Sequence, residues 1–385
     1  MLQNWGAIIC GIAGFIGVSK KPKATYEIMT NLFEFLEFRG TDASGVWAAE
    51  AGPEGKIFYH KEPIKSSEFI KKDFWKKVRR SKINLLLVHA RATSKGNGHA
   101  KTNVNNHPFV SMDKRIGMIH NGSIEESWFL MDKFQCQSDT DSEVILRIFE
   151  NGLENKFEIE NLPPKIAERI GGIKDVWSHI TKGAMAVAIG ERDDDERHLF
   201  LFRNLQRPLW IADLRESLGQ IIFFSTPEIW YRAVNSCTQA TKTMLKNQKL
   251  IELAAHDIWV FTINDASPHV IENQFYRLKV DVKKTGKDYK DDLIVMKPPK
   301  QTLSVVTELD EEVAVEQNDK FCESKYSDKS YISFCKALSL LSEEIATSVQ
   351  NSMLENTIPQ TQYEQIIEKL EGSVKDLREI LNLID

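Results

Sequence analysis

The sequence predicts an antiparallel α+β domain followed by a charged segment and a helical extension. Short β-prone runs separated by turn clusters fill residues 8 to about 265, and amphipathic helical stretches interrupt them without βαβ alternation. Beyond residue 275 the composition turns charge-dense and weakly patterned.

The first run, "IICGIAGFIGV", is apolar and predicts a strand with Cys10 near its start. "KATYEIMTNLFEFLEFRG" predicts a helix for which Gly40 is the stop signal. Strands follow at "SGVWAAE", "KIFYH", "NLLLVHARAT" and "RIGMIHNG". A second helix is expected in "SDTDSEVILRIFENG", where Ser138 or Asp139 can cap and acidic residues favour the N-terminal turn. "GAMAVAIGE", "HLFLFRN", "PLWIADL", "QIIFFST" and "HDIWVFTI" complete the strands.

The charge-dense stretches "KVDVKKTGKDYKDDLIVMKPPKQ" and "TELDEEVAVEQNDK" predict a linker over 271–325. A helical tail over 326–385 follows. Ile332, Cys335, Leu338, Leu341 and Ile345 mark one apolar face, with a stop before Pro359. In the last helix Tyr363, Ile367, Leu370, Val374, Leu377, Leu381 and Ile384 recur at steps of four and three, the seam of a coiled coil. An αα-hairpin fits the same pattern, so oligomerisation and internal packing both remain open.

A chain of 385 residues suggests one large domain with an appendage, and its net charge of -5 gives no general reason to expect nucleic acid or an anionic membrane as partner. No run approaches the ~18 apolar residues of a membrane span, and the N-terminus lacks the basic region of a signal peptide. The five cysteines (10, 136, 237, 322, 335) form no CxxC pair, so a reduced, cytoplasmic protein without a disulfide framework is expected. The nine histidines show no HxH or HExxH spacing and phosphate loops are absent, so neither metal nor cofactor is expected.

Four polar clusters interrupt the strand-rich region: "RGTDASG" (39–45), "HARATSKGN" (89–97), "HNG" (120–122) and "SDTDSE" (138–143), with "NNHPF" (105–109) between the second and third. Each has a plain structural reading. "HNG" suits a hairpin turn, "SDTDSE" a helix cap, "RGTDASG" a helix stop and Cys10 a small buried hydrophobe.

Taken jointly and in this order, these residues resemble the class II glutamine amidotransferases, glutaminases whose nucleophile is an N-terminal cysteine. Cys10-Gly11-Ile12-Ala13-Gly14 reproduces the family's C-G-I-x-G, and the resemblance runs to about residue 265. It implies a four-layer αββα sandwich of the N-terminal-nucleophile hydrolase type over 10–270. It also implies hydrolysis of the glutamine side-chain amide to glutamate and ammonia through a cysteinyl thioester.

Thiolate attack on an amide needs a base, and a free α-amine of pKa ~7.7–8.0 serves if Cys10 becomes the first residue. Residues 1–9 are therefore expected to be a removable propeptide. By resemblance, Asn121 and Gly122 donate to the oxyanion, Arg91 grips the glutamine carboxylate with Ser94 beside it, and Asp141 accepts its ammonium. Arg39 and His107 support the site. Ala92 stands where the family often has an aromatic beside the ammonia path.

The segment 275–385 is too short and too helical for a sugar isomerase, a phosphoribosyltransferase or an ATP pyrophosphatase, so the ammonia acceptor, if any, is expected to be a separate enzyme, docked through the terminal helices. Two other readings remain: hydrolysis of a different γ-glutamyl amide, and an inactive scaffold of the same fold. Assays comparing glutamine with γ-glutamyl conjugates separate the first from glutaminase. Loss of ammonia release on Cys10→Ala, together with trapping of Cys10 by a glutamine-like alkylator, would eliminate the second.

Overall fold

In the computed structural model residues 10–93, 98–125, 127–153, 163–278 and 293–296 are described. The expected propeptide, Ser94 and the tail over 326–385 lie outside them.

The first half of the domain contributes β1 (Gly11–Ile16), α1 (Pro22–Phe35), a 3₁₀ turn (Leu36–Phe38), β2 (Ala43–Glu50), β3 (Ile57–Glu62), α2 (Ser66–Phe69), α3 (Asp73–Arg80), β4 (Ile83–Arg91), β5 (Phe109–Val110) and β6 (Ile116–Ile124). Next come α4 (Ser127–Lys133), α5 (Glu143–Gly152), α6 (Pro164–His179), β7 (Gly183–Arg192), β8 (Glu196–Arg203), β9 (Trp210–Leu214) and β10 (Gln220–Phe224). The series ends with α7 (Pro227–Asn235), α8 (Gln239–Leu245), β11 (Leu250–Glu252), β12 (Asp257–Asn264), β13 (Glu272–Leu278) and β14 (Leu293–Met296).

The strands form two seven-stranded sheets, ordered β11-β9-β10-β1-β4-β2-β3 and β14-β13-β12-β8-β7-β6-β5. Their pairings are antiparallel throughout. Side chains alternate across each strand, so each sheet has two apolar faces to cover. The inner faces meet through Ile12, Trp47, Leu87, Ile119, Leu201 and Phe223. The outer face of the first sheet packs Phe15, Val46 and Leu86 on α1, α3 and α7, including Leu32, Phe33, Trp75 and Trp230. The second sheet's outer face packs Met118, Val187 and Phe200 on Ile145, Phe149 and Ile170 of α5 and α6. Helix, sheet, sheet, helix is the αββα sandwich.

Local details differ from expectation. The sheet continues past residue 270: β13 pairs onto β12 and β14 onto β13, so the described parts of the 271–325 segment form the sheet edge. His120, Asn121 and Gly122 lie inside β6, paired with β7, and form no hairpin turn. α5 begins at Glu143 with Ser142 at its N-cap, because the polar groups of 138–142 are used on neighbouring loops. Gly40 has no left-handed backbone. Its small size matters instead: a Cβ there would sit 2.3 Å from the Arg91 carbonyl carbon. No helix among the described residues is long and apolar enough to cross a membrane.

Trp47 is fully buried between the sheets and its indole N–H donates to the Lys114 carbonyl at 2.9 Å. Trp47→Ala is expected to lower the unfolding free energy by about 3–5 kcal/mol, read from urea denaturation.

Candidate active site

Alternation along three strands sets the site. On β1, Ile12 and Ile16 face the other sheet, and Cys10, just before the strand, continues that face. On β4, Leu85 and Leu87 face the same space, which puts His89 and Arg91 there. On β6, Ile119 does so, and Asn121 follows. Because Gly11 pairs with Ala90, Cys10 comes beside the Arg91–Ala92 backbone. The Cys10 Sγ donates to the Ala92 carbonyl at 3.5 Å and accepts from the Ala92 N–H at 3.4 Å.

Arg91 is buried, and its guanidinium ties two points of the β4–β5 connection to the α4–α5 connection. Nη1 donates to Asn106 Oδ1 at 2.7 Å, and Nη2 donates to the Gly98 carbonyl at 2.6 Å and to Thr140 Oγ1 at 3.3 Å. Asn106 is itself fixed by its amide, which donates to the Ala100 carbonyl at 2.7 Å. Arg39 donates from Nε to the Cys10 carbonyl at 3.0 Å, holding the residue that carries the thiol. Asp42 accepts the Thr93 N–H at 2.7 Å, which clasps the "RGTDASG" loop to "HARAT".

Asp141 is buried, with Oδ2 accepting the Ile124 N–H at 2.7 Å and Oδ1 accepting the Ser142 hydroxyl at 3.2 Å. The Asn121 side chain has zero exposure, and neither its Nδ2 nor its Oδ1 has a hydrogen-bond partner. A buried amide left unsatisfied costs about 1–3 kcal/mol, and Asn121 shares that state with Asn84 of β4. Beside it, a Cβ on Gly122 would fall 1.8 Å from the Ala184 carbonyl oxygen, so only glycine lets β6 approach β7 this closely.

The chain is 32% identical over 164 residues to the glutamine–fructose-6-phosphate aminotransferase of Bacillus cereus, a match covering 40% of this chain and 24% of that protein. It is 28% identical over 194 residues to the enzyme of the same name from Pyrococcus horikoshii, covering 49% and 28%. This chain carries a class II glutamine amidotransferase domain. It spans about a quarter of the length of the curated relatives it matches. No family model matches. Among solved structures, the phosphoribosylpyrophosphate amidotransferase of B. subtilis aligns at TM-score 0.43 and 19% identity, over 69% of this chain and 48% of that one. A predicted glutamine amidotransferase from Pseudomonas aeruginosa aligns at 0.33 and 15%, over 66% and 96%.

Electrostatically, the amidotransferase domain holds its thiol between opposing influences. Burial pushes the Cys10 thiol up, and Asp141 adds to this, while the Ala92 backbone, Arg91 and Arg39 act against it. Arg39, Arg91 and Asp141 thus lie close enough for their charges to act on Cys10, and Asn121 shares the inter-sheet face. Arg207, in the loop between β8 and β9, was not singled out by the sequence, yet its charge acts on Cys10, Arg39 and His120. No local pattern in "RNLQRPLW" marks it; only the fold brings that loop to the thiol.

Three buried histidines lie beneath the site. His107 stacks on His89 with centroids 4.0 Å apart, and neither of its ring nitrogens has a partner. His89 Nε2 contacts the His120 carbonyl at 3.0 Å, and His120 Nδ1 contacts the Ser142 hydroxyl at 2.8 Å. Burial drives His89 down to about 3 and His107 well below the ordinary value, so both stay neutral packing elements. Elsewhere, Asp193, Glu196 and His198 bring potential metal ligands within 4.8 Å of one another. Lys165 already pairs with Asp193, and Asn264 donates to Glu196 at 3.3 Å.

A histidine neutral in the folded state takes up its proton only on unfolding, so below pH ~6.5 the unfolded chain binds more protons and stability falls with pH. His107→Leu is expected to flatten that fall by up to about 1.4 kcal/mol per pH unit between about pH 4 and 6, measured from urea midpoints against the parent chain.

Proposed function

We propose that the domain hydrolyses the side-chain amide of L-glutamine to glutamate and ammonia, with Cys10 as nucleophile. The observation that carries this reading is the buried, unpartnered Asn121 amide on the same inter-sheet face as the thiol and the Arg91 guanidinium.

In this reading the Arg91 fork binds the glutamine α-carboxylate and Asp141 the α-ammonium, which fixes the side-chain amide beside Cys10. The Cys10 sulfur attacks the amide carbon, and its proton passes to the residue's own α-amine once the Ile9–Cys10 bond has been cut. Asn121 Nδ2 and the Gly122 N–H donate to the oxygen as it gains charge. The amine then returns a proton to the leaving nitrogen, ammonia departs, and water cleaves the Cys10 thioester through a second oxyanion to release glutamate. Arg39 holds the Cys10 backbone during both steps. His107 packs beneath His89 and takes no proton. Ser94 contributes its hydroxyl on the carboxylate side. Ammonia then passes to a separate acceptor enzyme, and the 326–385 segment is the part of the chain that would assemble the two.

Burial of the thiol makes the base necessary. With its pKa pushed up, the sulfur is almost wholly protonated at neutral pH, and only the thiolate attacks.

Cys10→Ala is expected to abolish ammonia release from glutamine. Asn121→Ala should lower kcat by about 10²–10³ with KM little changed, as for a donor met only in the transition state. Arg91→Lys should chiefly raise KM, since a point charge replaces a two-pronged donor. Steady-state ammonia release, with circular dichroism to confirm folding, reads all three. Equal effects of Arg91→Lys and Asn121→Ala on kcat and KM would remove the role assignment. Intact mass of the active protein should show Cys10 as its first residue.

A further inference from the structure

On the outer face of the first sheet, between the N-terminal end of α1 and α3, lies a cavity of about 300 Å³ lined by Pro22, Lys23, Tyr26, Lys76, Arg79 and Arg80. A neighbouring cavity of about 510 Å³ shares Lys23 and Arg79 and adds Glu27, Thr30 and Asn31. Neither is lined by a residue of the Cys10 site. Four cations and no carboxylate line the first. Lys76 pairs with Asp73 at 2.8 Å, while Lys23, Arg79 and Arg80 have no ion pair among the described residues. Glu27, the one carboxylate lining the second cavity, is committed to the Thr238 and Thr241 hydroxyls and the Thr238 N–H.

Three unpaired cations facing one concavity repel each other, and the chain as a whole is acidic at -5, so this concentration of positive charge is local. Cations in the last turn of α3 are favoured by its helix dipole, which accounts for Lys77, Arg79 and Arg80 being there. That preference does not account for their meeting Lys23 across a cavity. The first turn of α1 adds no acidic residue and no side-chain cap, so its positive end reinforces the field. The Tyr26 hydroxyl donates its proton to the Ser81 carbonyl at 3.0 Å, so that proton is not offered to a ligand.

We propose that this cavity binds the phosphoryl group of a small phosphorylated molecule, with Arg79 and Arg80 as its principal ligands and Lys23 opposite them. Guanidinium pairs match phosphate oxygens two at a time, and the two adjoining cavities lie in the size range of small-molecule sites. In the second cavity Asn31 Oδ1 would accept from the polar remainder of the molecule, its Nδ2 being held on the Ala233 carbonyl at 3.1 Å. A concavity of this size favours a small ligand over a polymer, whose backbone needs an extended cationic track. The site goes beyond the reading of Cys10 and does not depend on it.

The test is isothermal titration of the full chain with pyrophosphate, at about 0.15 M ionic strength so that diffuse attraction is screened. Saturable binding at one site is expected, weakened at least tenfold in Arg79→Gln/Arg80→Gln. A charge-matched control outside the lining, Lys56→Gln/Lys114→Gln, should change it less than twofold. Both variants alter exposed side chains and should keep the parent's thermal midpoint and its ammonia release without pyrophosphate. Absence of saturable binding overturns the site, and so does equal weakening in the two variants. Loss of ammonia release in Cys10→Ala with binding intact would leave it standing.

Discussion

The site depends on one buried guanidinium. Arg91 ends the longest buried strand of the first sheet, and its donors hold Gly98 and Asn106 in the β4–β5 connection and Thr140 in the α4–α5 connection. A desolvated charge of this kind is costly unless every donor is met, so the loops cannot drift without leaving it unpaired. That constraint fixes Asn106, brings the 138–142 segment against the strand end and thereby places Asp141. Burial lowers the affinity of Arg91 for its proton, opposed by Asp141 and Asp42, and the group still keeps its charge as arginine does. A substrate carboxylate would add one further partner to a fork already oriented.

The thiol sits under a second tension. Packing Cys10 between the sheets excludes water, which strengthens every charge interaction around it and also penalises the thiolate. Arg39, Arg91 and Arg207 surround it with positive charge, and Asp141 offsets part of that field. The histidines below are kept neutral by burial and so contribute shape without charge. The Asn121 amide is dry and unpaired among the described residues. Gly122 belongs to the same logic, since its missing side chain is what lets β6 lie against β7 at that point.

Much of this was legible in local pattern. The strand runs in "NLLLVHARAT" and "GAMAVAIGE" are strongly β-prone and bounded by turn residues, and both form where expected. The α6 helix was not legible: "PKIAERIGGIKDVWSH" carries Gly171 and Gly172, which read as breakers, and it is held as a helix by packing on α5. β5, β11 and β14 are too short to leave a period, and the "HNG" triplet has the chemistry of a turn yet lies within a strand. The start of α5 shifted from Ser138 to Ser142 because a cap is a local preference, and the bonds of Asp139 and Thr140 to Asn105 outweigh it.

By itself the sequence determined the antiparallel α+β class, most strand positions and the residue types that the chemistry needs, because periodicity and turn chemistry act over a few neighbours. It also marked Cys10, Arg91, Asn121 and Asp141 as a set, through their company in the chain. Only the tertiary structure decided that the ends of β1, β4 and β6 face one another across two sheets, that Gly40 is small for the sake of the Arg91 backbone, and that Arg207 reaches the thiol. Those relations join residues far apart in the chain, and they exist only once the two apolar inner faces have closed on each other and fixed the register between layers.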